Sequence, residues 1–282
     1  MIDLHTHSTC SDGSESPTRV VELAVRAGLS ALALTDHDGL EGIDEARRAA
    51  EDGGIELVPG CEVSCRFSPG TLHLLCYFVE PGDGPLQSQL EQLRRDRAER
   101  NVRLVDRLNE LGIDLTLAEV EARAGGTTLG RPHFAKALVD KGVVGSYQEA
   151  FDDLLGKGGP AYVPKAFISA ETTIEAAAGS GGLVSLAHPF SLGLDPSGLD
   201  RTLGELAAAG LAGLECYYGR YHGEERTALL ALAARHRLVA TGGSDFHGSF
   251  KPDLAVGTGE GDLAVPDSVL AELKARRPAA GR

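Results

Sequence analysis

Tryptophan is absent from this 282-residue chain, methionine occurs once, and aromatic residues make up only 5% of it, so any core must be built from aliphatic side chains. Basic residues are also in deficit, with 27 Lys and Arg against 41 Asp and Glu and a formal charge of -14. That balance argues against a protein that coats duplex DNA through a broad basic face, since such binding relies on many cations. A phosphate-bearing ligand would have to be gripped locally, by a few side chains or by metal ions. Cys10, Cys61, Cys65, Cys76 and Cys216 form no CxxC pair and are odd in number, which predicts free thiols in a reducing cytosol. No apolar run approaches the length of a bilayer span, and the opening Met1-Ile-Asp-Leu-His-Thr-His7 lacks the basic and apolar regions of a signal peptide. Membrane insertion and export are therefore not expected, the expected location is cytoplasmic, and nothing indicates a partner protein.

What is present is an ordinary globular composition, 42% hydrophobic and 24% charged, in a chain long enough to bury a large core. Short runs rich in Val, Leu and Ala predict strands at Ile2–His5, Ala31–Thr35, Ile55–Pro59, Leu72–Val79, Leu183–Ala187, Leu211–Tyr217 and Leu238–Thr241. Helical segments fit between them, the pattern of alternating β and α units around a parallel sheet. Ser16-Pro17 marks one helix start and Gly28 its stop, and a second helix runs from about Glu41 to Glu51 before Gly53-Gly54.

From Pro85 to Pro164 the rhythm changes to consecutive helices, which predicts an inserted helical subdomain between barrel parts at 1–84 and 165–282. Leu86, Leu90, Leu93, Leu104, Leu108 and Leu111 trace an apolar stripe that Arg97 and Asn101 interrupt, either to line a cleft or merely as a solvated face. Thr116-Leu-Ala-Glu119 and Ser146-Tyr-Gln-Glu149 have capping-box spacing. Thr127–Gly130 and Gly156–Gly159 read as linkers, and Pro278–Arg282 as a frayed end.

All nine histidines except His222 and His236, which are read within a helix, lie beside Gly, Asp, Ser or Pro at strand edges. His5-Thr-His7 ends the first strand, and alternation along extended chain points both rings to one side. Asp12 follows, Thr35-Asp-His-Asp38 ends the second strand, Gly60-Cys-Glu62 the third, and His73 lies on the fourth. Ala187-His188-Pro189 ends a later strand, and in Ser244-Asp-Phe-His247 the spacing of Asp245 and His247 repeats that of His5 and His7. Alone, each pair is more often surface decoration or a satisfied polar pair. Together at the carboxyl ends of strands they converge on one face, and without a cation their mutual repulsion and desolvation would cost several kcal/mol.

This constellation, in this order and spacing, resembles the polymerase and histidinol phosphatase (PHP) family over nearly the whole chain. The resemblance implies an α/β fold, a distorted (β/α)7 barrel with the inserted helical subdomain as a substrate lid. It implies two to three divalent ions, Mn, Fe or Zn. His5, His7, Glu62 and Asp245 would hold the first, Glu62, His73 and His188 the second, and Asp12, His37 and His247 the third. Asp245, Glu62, His247 and His188 are the expected catalytic residues, serving a metal-activated water that attacks phosphorus in line. Arg131, His133 and Lys165 resemble the phosphate-gripping positions of the branch that removes the 3′-phosphate of nucleoside 3′,5′-bisphosphates or trims short 5′-phosphorylated RNA. The expected partner is thus a small phosphorylated nucleotide or short RNA. Lys251 is a further, weaker candidate, and Cys61 and Cys65 are packing residues without a partner base. Alternatives are a histidinol phosphate phosphatase, a phosphodiesterase for cyclic or sugar phosphates, or a non-catalytic metal-binding scaffold, which the full ligand set disfavours.

Overall fold

A computed structural model describes residues 1–124 and 129–277. Thr127, Thr128 and the end from Pro278 onward, read above as linker and frayed terminus, lie outside the described residues. The strands are β1 (Ile2–Asp3), β2 (Ala31–Leu34), β3 (Glu56–Cys65), β4 (Leu72–Tyr77), β5 (Leu183–Leu186), β6 (Gly213–Tyr218) and β7 (Val239–Gly243). They pair in sequence order in one seven-stranded sheet. Backbone bonds from Leu4 N–H to Gly242 O (3.1 Å), from Asp245 N–H to His5 O (2.9 Å) and from His7 N–H to Phe246 O (2.9 Å) bring the first and last strands together, so the sheet curls into a distorted barrel.

Helices α1 (Pro17–Arg26) and α2 (Ile43–Gly53) cover the first crossovers. Ser16 caps α1 by accepting the Arg19 N–H, Pro17 occupies its first turn, and Gly54 in the left-handed region ends α2, each as the local sequence dictates. The later helices on the barrel are α7 (Ala170–Gly179), α8 (Pro196–Ala208), α9 (Gly223–Arg235) and α10 (Ser268–Arg276). His222 and His236 flank α9 rather than sitting inside it.

The expectation of a parallel sheet throughout fails at β4, which runs antiparallel to both β3 and β5. The reason is length. The third strand does not stop at Pro59 but continues to Cys65, leaving only Arg66–Thr71 before β4. A parallel return needs a crossover of a dozen or more residues, and a connection this short permits only an antiparallel partner. Because β4 is reversed, His73, near its start, reaches the same barrel face to which the parallel strands bring their carboxyl ends.

Between β4 and β5 the chain builds α3 (Pro85–Glu110), α4 (Leu117–Ala124), α5 (Arg131–Asp140) and α6 (Tyr147–Ala150), followed by a π-helical turn at Phe151–Leu155. Thr116 and Glu119 exchange both bonds of a capping box, and Ser146 caps α6 through the Glu149 N–H. The first half of α3 packs Leu86, Leu90 and Leu93 onto the barrel's core. Its second half contributes Leu104 and Leu108 to a separate core with Phe134, Leu138 and Leu155. Leu111, placed on the stripe by sequence, is exposed at the helix end. Among the described residues, no helix is long and apolar enough to cross a membrane.

Candidate metal centre

Because β1 and β7 meet, the His5-Thr-His7 and Asp245-Phe-His247 segments run side by side, bridged at Thr6 and Phe246. Gly243 makes this approach possible, since a Cβ there would stand 2.4 Å from both the Cβ and the backbone nitrogen of His5. Asp245, His188 and Asp38 adopt φ values of 56°, 25° and 52°, a region that non-glycine residues enter at a cost and that is found enriched where geometry serves a site.

Glu62, buried in the middle of β3, faces five imidazoles. Its Oε1 lies 2.9 Å from His73 Nδ1 and 3.0 Å from His188 Nε2. Its Oε2 lies 3.3 Å from His5 Nε2, 3.2 Å from His7 Nε2 and 3.3 Å from His37 Nδ1. Asp245 Oδ1 lies 3.4 Å from each of His5 Nε2, His7 Nε2 and His247 Nδ1. Asp12 reaches His247 Nε2 at 3.3 Å and His37 Nε2 at 3.7 Å. All nine ligand candidates named from sequence therefore come together. They form overlapping groups, of which His5, His7 and Asp245, His37, Glu62 and His73, and His7, Asp12, His37 and His247 each place their donor atoms within 4.8 Å of one another.

The donors fit divalent cations. His5 Nε2 and His7 Nε2 point at one another across 3.1 Å; among the described residues, His7 Nδ1 is buried with no hydrogen-bond partner, and His37 Nδ1 has only the poorly aligned Glu62 carboxylate at 3.3 Å. Native interiors seldom leave such nitrogens orphaned. Burial opposes charge on His5, but Glu215, Glu62 and Asp245 outweigh it and hold the ring well above its usual pKa. Burial likewise opposes charge on His7, which hydrogen bonds to Asp245 and Glu62 lift to about 9. At His37 burial wins, pushing it down to about 3 against Glu62 and Asp12. Burial would raise the carboxyls of Glu62, Asp12 and Asp245, yet the surrounding imidazoles, with Lys251 beside Asp245, keep all three well below the ordinary range. The carboxylates are thus ionised, and they crowd together with imidazole nitrogens in the way a divalent cation's donors do. Mixed imidazole and carboxylate donors suit Mn, Fe(II) or Zn.

Outside the ligands stand Glu215 and Tyr218, which sequence reasoning missed, and Lys251, which it named as a weaker candidate. Glu215, fully buried in β6, lies 2.9 Å from His5 Nδ1 and accepts the His188 backbone N–H at 2.6 Å. Tyr218 donates to Asp245 Oδ2 at 2.7 Å and Lys251 to the same oxygen at 2.6 Å. The one signal for Glu215 was a carboxylate inside an otherwise apolar strand, which must have a partner. Carboxylates that orient metal-binding histidines are typically worth about 10–100-fold in metal affinity. Glu215→Gln is therefore expected to weaken divalent-ion binding by about tenfold or more, read in a metal-buffered titration; unchanged affinity would remove Glu215 from the support of this centre.

Beside the ligands lies a cavity of about 330 Å³, whose lining includes Asp12, His37 and His73 together with Arg97, Arg100, Arg131 and Lys165. Asp38 anchors the cationic wall: it is hydrogen-bonded by Arg97, by Lys165 Nζ at 3.0 Å and by the Ser64 N–H at 3.1 Å. Burial, with Arg97 and Arg131 close by, lowers Arg100 to about 10, and among the described residues its Nε is buried without a partner. Guanidinium groups crowded in this way are relieved by an anion. Arg131 and Lys165, named from sequence, both line the cavity, whereas His133 does not. It sits in the first turn of α5, not at a strand edge, and its Nδ1 accepts the Gly130 N–H at 3.0 Å. Asn101 turns instead to the Leu129 carbonyl, and Arg100 was not singled out by sequence at all. All five cysteines are free, as the sequence predicts.

The PHP domain profile matches residues 3–119. The chain is 33% identical to a 3′,5′-nucleoside bisphosphate phosphatase of Chromobacterium violaceum over 99% of each protein. It is 34% identical to a 5′-3′ exoribonuclease of Haemophilus influenzae, over 87% of this chain and 89% of that one. Among solved structures, a Bifidobacterium adolescentis protein described as a metal-dependent phosphoesterase superposes with a TM-score of 0.86 at 34% identity, covering 99% of this chain and 97% of the other.

Proposed function

The chain belongs to the PHP domain family and is a metal-dependent phosphoester hydrolase, and from that premise we propose that it removes the 3′-phosphate of nucleoside 3′,5′-bisphosphates and cleaves the equivalent bond at the end of short 5′-phosphorylated RNA. The observation that carries this reading is the cavity itself. In a protein of net charge -14, Arg97, Arg100, Arg131 and Lys165 gather in the lining of one space together with three of the ligand candidates, Asp12, His37 and His73. A substrate with two phosphates on one small molecule suits such a space, one phosphate at the ligands and the other at the cations.

Two to three divalent ions, when bound, would lower the pKa of water toward neutrality and neutralise the phosphoryl oxygens. His5, His7, Asp12, His37, Glu62, His73, His188, Asp245 and His247 would hold them, with Glu62 reaching toward two histidine groups through its two oxygens. Asp245, Glu62, His188 and His247 carry the catalytic role assigned from sequence. Arg131, with Arg100 and Lys165, grips the 5′-phosphate; a guanidinium offers two parallel hydrogen bonds that an ammonium cannot copy. His133 serves this grip indirectly, by fixing the start of the helix that presents Arg131. Residues 85–164 act as the lid, walling the cavity with α3 and α5 and keeping water from the bound substrate.

The test is turnover after reconstitution with Mn(II), comparing a nucleoside 3′,5′-bisphosphate, the 3′-monophosphate, histidinol phosphate and a short 5′-phosphorylated RNA. The bisphosphate is expected to exceed the 3′-monophosphate in kcat/KM by about tenfold or more, the weight of one charge-assisted phosphate grip. Turnover confined to histidinol phosphate would overturn the substrate assignment and leave the metal centre standing.

A further inference from the structure

A phosphodiester bridging two nucleosides extends beyond the centre on both sides, and in the reading above only the first of them, with its 5′-phosphate, lies in the cation-lined cavity. That cavity draws its barrel residues from the segments after β1 and β2, from β3, from the start of β4 and from Lys165 and Phe167 ahead of α7. The segments that follow β5 and β6 border the ligands elsewhere on the rim, and there Phe190, Tyr218 and Tyr221 stand together. Phe190, two residues after His188, is 39% exposed and, unlike the similarly exposed Phe167, lies outside the cavity.

Its position is built. Pro189 and the unusual φ of 25° at His188 set the direction of the chain. The Phe190 N–H donates to Tyr221 Oη at 3.1 Å, and the two rings stand 5.0 Å apart. Tyr221 in turn packs 4.7 Å from Tyr218, whose ring is 5.7 Å from His188 and whose hydroxyl holds Asp245. A continuous series of rings thus runs from a carboxylate of the centre to a solvent-facing phenyl group. Consecutive Cα atoms are about 3.8 Å apart, so Phe190 stands within about two such steps of the ligand His188.

We propose that Phe190, backed by Tyr221, is the stacking platform for the base of the second nucleotide of a 5′-phosphorylated oligoribonucleotide. This rests on the reading above, in which the 5′-phosphate occupies the cationic cavity and the 3′-phosphate the centre. In the step concerned, the oxygen of water joins phosphorus, the bond from phosphorus to O3′ of the first nucleotide breaks, and O3′ leaves with a proton. The products are a nucleoside 5′-monophosphate and an RNA one nucleotide shorter that carries the phosphate on its new 5′ end. The second nucleoside remains esterified through its O5′ throughout, so a platform for its base raises affinity for each successive end without entering the bond changes. A bisphosphate has no second base and gains nothing from it. Stacking is blind to base identity because every base offers a π face, which suits an enzyme that trims an end without regard to sequence.

The experiment compares wild type with Phe190→Ala and Phe190→Trp on three Mn(II)-dependent substrates: a nucleoside 3′,5′-bisphosphate, a 5′-phosphorylated diribonucleotide, and the same diribonucleotide lacking its second base. In wild type the complete diribonucleotide is expected to have a KM about tenfold below the abasic one, the fold-change a base–aromatic stack supplies. Phe190→Ala should erase that difference by raising KM for the complete diribonucleotide alone, Phe190→Trp should keep it, and bisphosphate turnover should be unchanged in both variants, which also reports an intact fold. An unaltered preference in Phe190→Ala, or an equal loss on all three substrates, would overturn the platform. Absence of turnover on both bisphosphate and diribonucleotide in wild type would overturn the substrate reading beneath it, and the platform with it.

Discussion

Asp245→Asn is expected to reduce phosphate release by about a thousandfold or more, beyond the ~10²–10³-fold that losing one transition-state-stabilising group costs, while leaving the protein folded. The carboxylate is pinned from both sides. Oδ2 receives the Tyr218 hydroxyl and the Lys251 ammonium, and Oδ1 faces Nε2 of His5 and of His7. An asparagine has one acceptor and one donor for these two positions. Turned with its NH2 toward Tyr218 and Lys251, it opposes two donors; turned the other way, it opposes the ring nitrogens and any cation they hold. Neither orientation restores the charge that balances the centre. Circular dichroism and metal analysis would be run beside the kinetics, since activity within tenfold of wild type at full metal occupancy would show that Asp245 is not essential to the reaction.

Arg131→Ala should act differently, raising KM for a bisphosphate so that kcat/KM falls by about 10- to 100-fold, as expected when a charged hydrogen-bonding partner worth roughly 1.5–3 kcal/mol is lost. A nucleoside 3′-monophosphate lacks the group that Arg131 grips and should be turned over as before. The comparison isolates the contact, because damage to the centre or to the fold would slow both substrates alike. Arg131→Lys should recover only part of the loss, as a single ammonium replaces a planar two-point grip. Equal effects on the two substrates would place Arg131 in the architecture of α5 rather than at the phosphate.

Much of the centre was legible because strands have a period of two: His5 with His7 and Asp245 with His247 declare a shared direction without knowledge of the fold. What they declare becomes a site only because β1 and β7 adjoin, a fact of barrel closure that no local window contains. The reversal of β4 was harder to read. Its evidence was the short Arg66–Thr71 connection, and that became visible only when β3 was found to continue past Glu62.

The cationic wall was half visible for a related reason. On α3 the apolar stripe breaks at Arg97 and Asn101, and the structure explains the break: the helix leaves the barrel's core after Leu93 and joins the second core at Leu104. The interval between cores is where Arg97 and Arg100 meet the cavity. A helical wheel assumes one partner surface along the whole helix and so reads such an interval as a fault in the pattern. At His133 two roles were open from sequence, a phosphate contact by resemblance or a helix start after Pro132, and the structure shows its Nδ1 accepting the Gly130 N–H at that start.

The central claim is that this chain hydrolyses phosphoesters through ions held by the converged histidines and carboxylates, and metal titration of the stripped protein tests it most directly. Chelator-treated protein would be titrated with Mn(II) while bound ions per chain and phosphate release from a nucleoside 3′,5′-bisphosphate are followed together. The account predicts no turnover without metal and recovery as about two to three ions bind per chain. Full turnover by protein shown to be metal-free would contradict it.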